Sequence, residues 1–169
     1  MTKSKKVLFY ASGIIITFLL FSIWYNYKYG MSKIAAFEIN APSYKQKLVI
    51  ATQGSPFKNA ITNNLVSHYR QDSIYMKIIN VEDLQKIDPE NYNAVIVIHT
   101  WENLKPPVSV VDFFNKIGYQ QNNIIVLTTS GQGNYKMQQV DALTGESRLD
   151  NVNDYTQQII KKVNPLLSK

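Results

Sequence analysis

The 169-residue chain contains no cysteine and only two histidines, His68 and His99. The lack of cysteine excludes disulfide bonds and thiolate metal ligands. It leaves the cellular compartment open, because exported domains without disulfides and cytosolic domains share this composition. The two histidines are far apart, and no His-x-x-x-His pair or acidic cluster accompanies them. The usual ligands of a zinc site are therefore missing, and we predict no metal site.

Charged side chains are absent from residues 7–27, which read VLFYASGIIITFLLFSIWYNY. At about 1.5 Å per residue, a helix of this length crosses a hydrocarbon core about 30 Å thick. Its serine and threonine hydroxyls can return hydrogen bonds to the helix backbone. Trp24, Tyr25 and Tyr27 stand at one end, where aromatic rings favour the headgroup zone. The segment predicts one transmembrane helix, with the lipid bilayer as its partner.

A cleaved signal peptide is the competing interpretation of this segment. Residues 1–6, MTKSKK, form a basic flank like the start of a signal sequence, but the apolar run exceeds the usual length of about 7–15 residues. No small-x-small cleavage site follows directly, so we favour an uncleaved signal anchor of a single-pass membrane protein. Lysine is denser before the helix than after it. By the positive-inside rule the N-terminus is then cytoplasmic and the C-terminal domain is exported.

The remaining charge gives little support for nucleic-acid binding. The net charge is +6, but Lys3, Lys5, Lys6 and Lys28 flank the predicted helix, so the rest of the chain is only mildly basic. It has no dense Lys and Arg stripe with interleaved aromatic residues, and we predict no nucleic-acid partner. Residues 28–46 are interpreted as a linker. Residues 47–169 then provide about 120 residues, enough for one domain with one core.

Apolar runs alternate with helical patterns along residues 47–169. The predicted strands are 47–52, 73–81, 92–100, 123–129 and a short fifth one at 138–144. The predicted helices are 58–71, 82–88, 106–118 and 153–167, the last with Asn153 as a candidate N-cap. The alternation predicts an α/β fold, in which an open parallel sheet of four to five strands carries helices on both faces. We expect strand 47–52 to lie between strands 73–81 and 92–100.

Ligands of such sheets bind in the loops at the carboxyl ends of the strands. The first of these loops, 52–58, contains GSPFK and leads straight into a helix N-terminus. Backbone N–H groups and the helix dipole converge there, which favours a phosphate group. Ser55, Asn59 and Thr62 offer side-chain donors, and Lys58 offers positive charge. An ordinary strand-to-helix turn with a proline and an N-cap explains the same residues, and both interpretations remain open.

This loop resembles that of the flavodoxin-like superfamily, especially its FMN-reductase branch, which carries a Gly-Ser-Pro-Arg-Lys-x-x-x-Thr type of loop. The pattern is matched at Gly54, Ser55, Pro56, Lys58 and Thr62, and Phe57 replaces the usual arginine. Over residues 45–165, the resemblance implies a flavodoxin-like doubly wound sheet. It also implies FMN as the cofactor of a membrane-tethered domain that transfers electrons or hydride. The alternative is a domain of this fold without cofactor, acting as an interaction or assembly subunit of a membrane complex.

Two later loops extend the resemblance to the flavin ring. Members of the superfamily stack an aromatic residue from the loop after the third strand on this ring, and Trp101 holds that position. In the loop after the fourth strand, Tyr135 is then a second aromatic wall. Gly131 and Gly133 would let backbone N–H groups approach the polar edge of the ring. The resemblance assigns no catalytic residue.

Residues 141–147, DALTGES, resemble the sequence Asp-x-x-Ser/Thr-Gly-Ala-Thr/Ser, on which some exported electron carriers attach FMN covalently. Ser147 would be the acceptor, and Glu146 stands where that sequence has alanine. A strand followed by a polar turn is the simpler interpretation of the same residues.

Overall fold

This computed structural model describes residues 2–29 and 31–168. Three residues lie outside that description and belong to the predicted basic flank, linker and domain: Met1, Gly30 and Lys169. The chain forms two compact units, which divide between Met31 and Ser32.

The first unit is one long helix, α1 (Lys3–Tyr29). It extends past the predicted span at both ends. The hydroxyls of Ser12, Thr17 and Ser22 donate to backbone carbonyls three or four residues earlier, at 2.8–2.9 Å. The segment Lys3–Tyr25 is long and apolar enough to cross a membrane, a property that signal sequences share.

The second unit contains a six-stranded, mostly parallel sheet. Its elements are β1 (Phe37–Ile39), β2 (Gln46–Thr52), α2 (Pro56–Tyr69), β3 (Ile74–Asn80), β4 (Ala94–Thr100), α3 (Val108–Ile117), β5 (Ile124–Thr129), β6 (Ala142–Gly145) and α4 (Val152–Leu167). Between β3 and β4, the predicted helix at 82–88 is a 3₁₀ helix, Val81–Lys86. The strand order is β1-β3-β2-β4-β5-β6, with β1 antiparallel to β3 and the other pairs parallel.

The predicted strand order is confirmed, since β2 lies between β3 and β4. Leu48 of β2 is paired with Met76 on one side and with Ala94 on the other. The predicted number of strands was too low, because β1 forms from residues interpreted as linker. Three residues are too few to show a strand period. They pair with β3 because an open sheet edge leaves backbone N–H and C=O groups without partners.

Both faces of the sheet are buried. β2 sends Leu48 and Ile50 into one core cluster and Val49 and Ala51 into the other, as the two-residue period of a strand requires. Helices α2 and α4 cover the first face, whereas α3 and the 3₁₀ helix cover the second. Burial on two sides explains why the strands read as continuous apolar runs.

Two local predictions near the C-terminus are corrected. Strand β6 begins at Ala142 and not at residue 138, because the Val140 N–H donates to the Met137 carbonyl at 3.2 Å and closes a turn before it. Helix α4 begins at Val152, after a 3₁₀ turn that leads directly into it. Asn151 occupies the cap position, so the prediction of Asn153 as the N-cap is wrong.

Candidate functional site

The loops after β2, β4 and β5 lie at the carboxyl edge of the sheet. From β2 the chain passes outward to β3 and then returns to β4 on the other side of β2. The connections therefore diverge between β2 and β4. In open α/β sheets, this switch point is where ligands bind.

Gln53 joins the two loops that flank this switch point. Its side-chain oxygen accepts a hydrogen bond from the Thr100 N–H at 2.7 Å, and its amide nitrogen donates to Glu102 Oε1 at 3.2 Å. Gln53 is buried, with 8% of its surface exposed, so this bridge fixes one loop against the other. Sequence analysis missed Gln53, because a single glutamine after a strand belongs to no recognisable pattern.

Ser55 is the N-cap of α2, and its hydroxyl accepts a hydrogen bond from the Lys58 backbone N–H at 3.3 Å. Pro56 follows at the first helical position. A backbone N–H there has no partner within the helix, so proline costs no hydrogen bond. The Lys58 ammonium donates to the same Ser55 hydroxyl at 3.3 Å. Asn59, the next residue of the helix, is exposed. The loop therefore contains the N-cap and the proline of a strand-to-helix turn, and this arrangement places Lys58 beside the cap.

Lys58 is fully buried although its side chain carries an ammonium group. Burial lowers the pKa of the Lys58 amine to about 8, and the negative charge of Glu102 opposes this shift. The positive end of the α2 dipole disfavours a cation at the same place. A bound anion would offset both costs.

His99, at the end of β4, is also fully buried. Burial and the nearby charge of Lys58 lower the pKa of His99 to about 4, so its imidazole is neutral at pH 7. Its Nε2 lies 2.9 Å from the hydroxyl of Thr128. His99 Nδ1 and Thr62 Oγ1 have no hydrogen-bond partner among the described residues. Such buried polar atoms cost about 1–3 kcal/mol each unless a ligand or water satisfies them.

Trp101 and Tyr135 lie against each other, with ring centroids 5.3 Å apart and ring planes tilted by 30°. The Trp101 backbone N–H donates to the Thr129 carbonyl at 2.8 Å, which holds its loop against β5. A flat ring between two aromatic walls needs a gap of about 7 Å, twice an ordinary contact distance. In this structure the two rings therefore form one aromatic surface, and they do not enclose a gap into which a third ring fits.

The two predicted glycines differ in their surroundings. Gly131 is exposed, and a β-carbon there would meet nothing within 4 Å. Gly133 has φ +68°, in the left-handed region that favours glycine, and a β-carbon there would lie 3.1 Å from the Gly145 backbone. The Gly133 N–H donates to the Ser130 carbonyl at 3.1 Å, so this donor is used in a turn within its own loop.

Three hydroxyl groups meet where β4, β5 and β6 end. Thr129 Oγ1 lies 2.7 Å from Thr100 Oγ1 and accepts a hydrogen bond from Ser147 Oγ at 2.8 Å. Ser147 therefore lies at the same edge as the three loops. Sequence analysis missed Thr100 and Thr129, because threonine is common in strands for reasons of packing alone.

No family model matches the chain, and no curated protein matches it. Among solved structures, the chain is similar to an NADPH-quinone reductase from P. pentosaceus. That similarity covers 70% of this chain and 78% of the other, with 10% sequence identity and a TM-score of 0.32. Similarity at this level does not define a function, which has to be argued from the site.

Proposed function

We propose that the protein is a membrane-tethered, flavodoxin-like domain that binds FMN at the carboxyl edge of its sheet and transfers electrons or hydride. The observation that carries the proposal is Lys58, a fully buried cation at the N-terminus of α2 and at the switch point of the sheet. Burial and the helix dipole both disfavour its charge. A phosphate monoester bound there would offset this cost, with Lys58 and Ser55 as its side-chain donors.

The strand order supports a flavodoxin-like fold. Without the edge strand β1, the order β3-β2-β4-β5-β6 is the 2-1-3-4-5 arrangement, in which FMN binds at the switch point between the first and third strands. The tether is supported by α1, whose apolar side chains are exposed along most of its length.

The outer face of the Trp101–Tyr135 pair would hold the isoalloxazine ring. Offset stacking on aromatic side chains contributes about 0.5–1.5 kcal/mol beyond the burial of apolar area. Bound FMN would supply the redox chemistry, and the chain would bind the cofactor, orient it and shield one face from water.

A flavin-free interaction domain in a membrane complex is the second candidate function. Two observations favour it. The contact between Trp101 and Tyr135 leaves no space for a ring between them, and the Gly54 N–H is already bonded to the Ser32 carbonyl. In that case the Gln53 bridge would keep the loops rigid as a surface for another subunit.

Titration of full-length protein in detergent, followed by flavin fluorescence, separates the two functions. We expect FMN to bind more tightly than riboflavin, which has the same ring but lacks the phosphate. Lys58→Met should remove this preference. Lys86→Met is the matched control, because Lys86 is exposed and pairs only with Asp83 of its own 3₁₀ helix in the contacts described. If high micromolar protein leaves FMN fluorescence unchanged, the flavin-free function is supported.

A further inference from the structure

Residues 32–34, called the strap below, lie across the loop that follows β2. The Ser32 N–H donates to the Gly54 carbonyl at 3.0 Å, and the Gly54 N–H donates to the Ser32 carbonyl at 2.7 Å. The Ser32 hydroxyl adds a third bond to the Gly54 carbonyl, at 3.1 Å. Both backbone polar groups of Gly54, the first residue of the GSPFK motif, are therefore bonded to the strap.

Glycine at position 54 leaves the space that Ser32 of the strap occupies. A β-carbon at this position would lie 2.8 Å from the Ser32 carbonyl oxygen and closer still to the Ser32 hydroxyl. Its φ is not positive, so no unusual backbone conformation calls for glycine here. The close approach of the strap accounts for the missing side chain.

Apart from its bonds to Gly54, the strap makes two further contacts that are described. Ile34 packs against the core cluster on the α2 face, and Lys33 pairs with Glu82 at 2.5 Å. The ion pair is exposed on both sides and therefore contributes little. Segments with few buried contacts open locally while the rest of the fold stays intact. The strap can therefore leave Gly54 without disturbing the sheet.

We propose that the strap closes the phosphate end of the FMN site and that a phosphate-bearing ligand binds by displacing Ser32 from Gly54. This inference rests on the proposed function. The released Gly54 N–H joins Ser55 and Lys58 as a donor to the phosphate. Because only the open strap is competent, the apparent Kd equals the intrinsic Kd divided by the fraction of open molecules.

The variant Ser32→Pro opens the strap without altering the loop. Proline has neither the backbone N–H nor the hydroxyl that Ser32 donates to the Gly54 carbonyl, so two of the three hydrogen bonds are lost. A strap closed for about nine-tenths of the time weakens binding about tenfold. We therefore expect full-length Ser32→Pro to bind FMN about tenfold more tightly than wild type. Riboflavin should bind both proteins equally, because it lacks the phosphate.

Ser32→Ala is the matched control, since it removes the hydroxyl but keeps both backbone bonds to Gly54. It should change the FMN affinity far less than Ser32→Pro does. Amide hydrogen exchange provides a second measurement. The Gly54 N–H should exchange faster in Ser32→Pro, whereas the amides of β4 should stay protected, which shows that the sheet is intact. Addition of FMN should protect the Gly54 N–H of the variant again.

The outcomes distinguish the strap from the site that it covers. Equal FMN affinity in wild type and Ser32→Pro, with riboflavin weaker in both, would overturn the strap proposal and leave the FMN site standing. Tightening of riboflavin as much as of FMN would overturn it too, because the strap would then act on the ring. Absence of FMN binding in both proteins would overturn the strap proposal together with the proposed function.

Discussion

The indole ring of Trp101 is in contact with the phenol ring of Tyr135, with centroids 5.3 Å apart. The contact joins the loop after β4 to the loop after β5. It also decides how a flavin can be held, because a ring that binds here stacks on the outside of the pair. The two residues then act as one aromatic surface, and the loss of either changes the support of the other.

Trp101→Ala should weaken FMN binding about tenfold, because a loss of about 1.4 kcal/mol corresponds to a factor of ten and stacking contributes up to about that much. Leu104→Ala is the matched control on the same loop, since Leu104 is 71% exposed. Fluorescence titration of both variants measures the effect. Equal affinities for the two variants would show that the flavin does not stack on Trp101.

Lys58→Met should stabilise the fold at pH 7 by about 1–3 kcal/mol, while we expect it to weaken FMN binding. The Lys58 amine has a pKa of about 8 when folded, below its usual 10.5. Below pH 8 it is charged in both states, and the full cost of burying the charge is present. Between pH 8 and 10.5 the unfolded chain binds more protons, so wild-type stability rises with pH.

Denaturant unfolding at several pH values measures this difference. Wild type should gain stability relative to Lys58→Met as the pH rises from 8 to 10.5. The exposed-site variant Lys86→Met should follow wild type over the same range. A constant difference between wild type and Lys58→Met would mean that the amine is not buried as a cation.

The two-sided burial of the sheet explains why its order could be predicted. The apolar run 92–100 has to lie inside the sheet, and the right-handed crossovers expected between parallel strands restrict where strands 47–52 and 73–81 can pair. The site depends instead on single contacts that no period reveals. Gln53 bonds to Thr100 at the end of β4, 47 residues away, and Ser32 bonds to Gly54 from residues interpreted as linker. Only the three-dimensional fold brings such residues together.

Stability should also fall as the pH drops from about 6.5 to 4, because of His99. Burial and the charge of Lys58 hold its pKa at about 4 when folded, below the usual 6.5. In this window the unfolded chain binds a proton that the folded chain does not, so the stabilisation present above pH 6.5 is lost on acidification. His99→Gln should flatten this part of the profile, whereas substitution of the exposed His68 by glutamine should not. Unfolding free energies at pH 4, 5, 6 and 7 provide the comparison.

The membrane orientation makes a prediction about how FMN reaches the site. The lysines before the apolar segment 7–27 favour a cytoplasmic N-terminus and an exported domain. A reporter that is active only after export should therefore be active when fused after Lys169, and replacing Lys3, Lys5 and Lys6 by glutamine should reduce that activity. Activity of a cytosol-only reporter at the same position would reverse the orientation.

The same experiment constrains the cofactor, because a chain that crosses the membrane unfolded cannot carry FMN with it in a noncovalent pocket. An exported domain must collect flavin outside or have it attached there, at a residue such as Ser147, whose hydroxyl lies 2.8 Å from that of Thr129. We expect protein from export-positive cells to be colourless until FMN is added, and to lose added FMN on denaturation. Flavin that stays with the denatured chain, and is released from a Ser147→Ala variant, would show covalent attachment instead. Yellow protein that loses its flavin on denaturation would show noncovalent FMN, collected outside if the export reporter is active and loaded in the cytosol if only the cytosolic reporter is active.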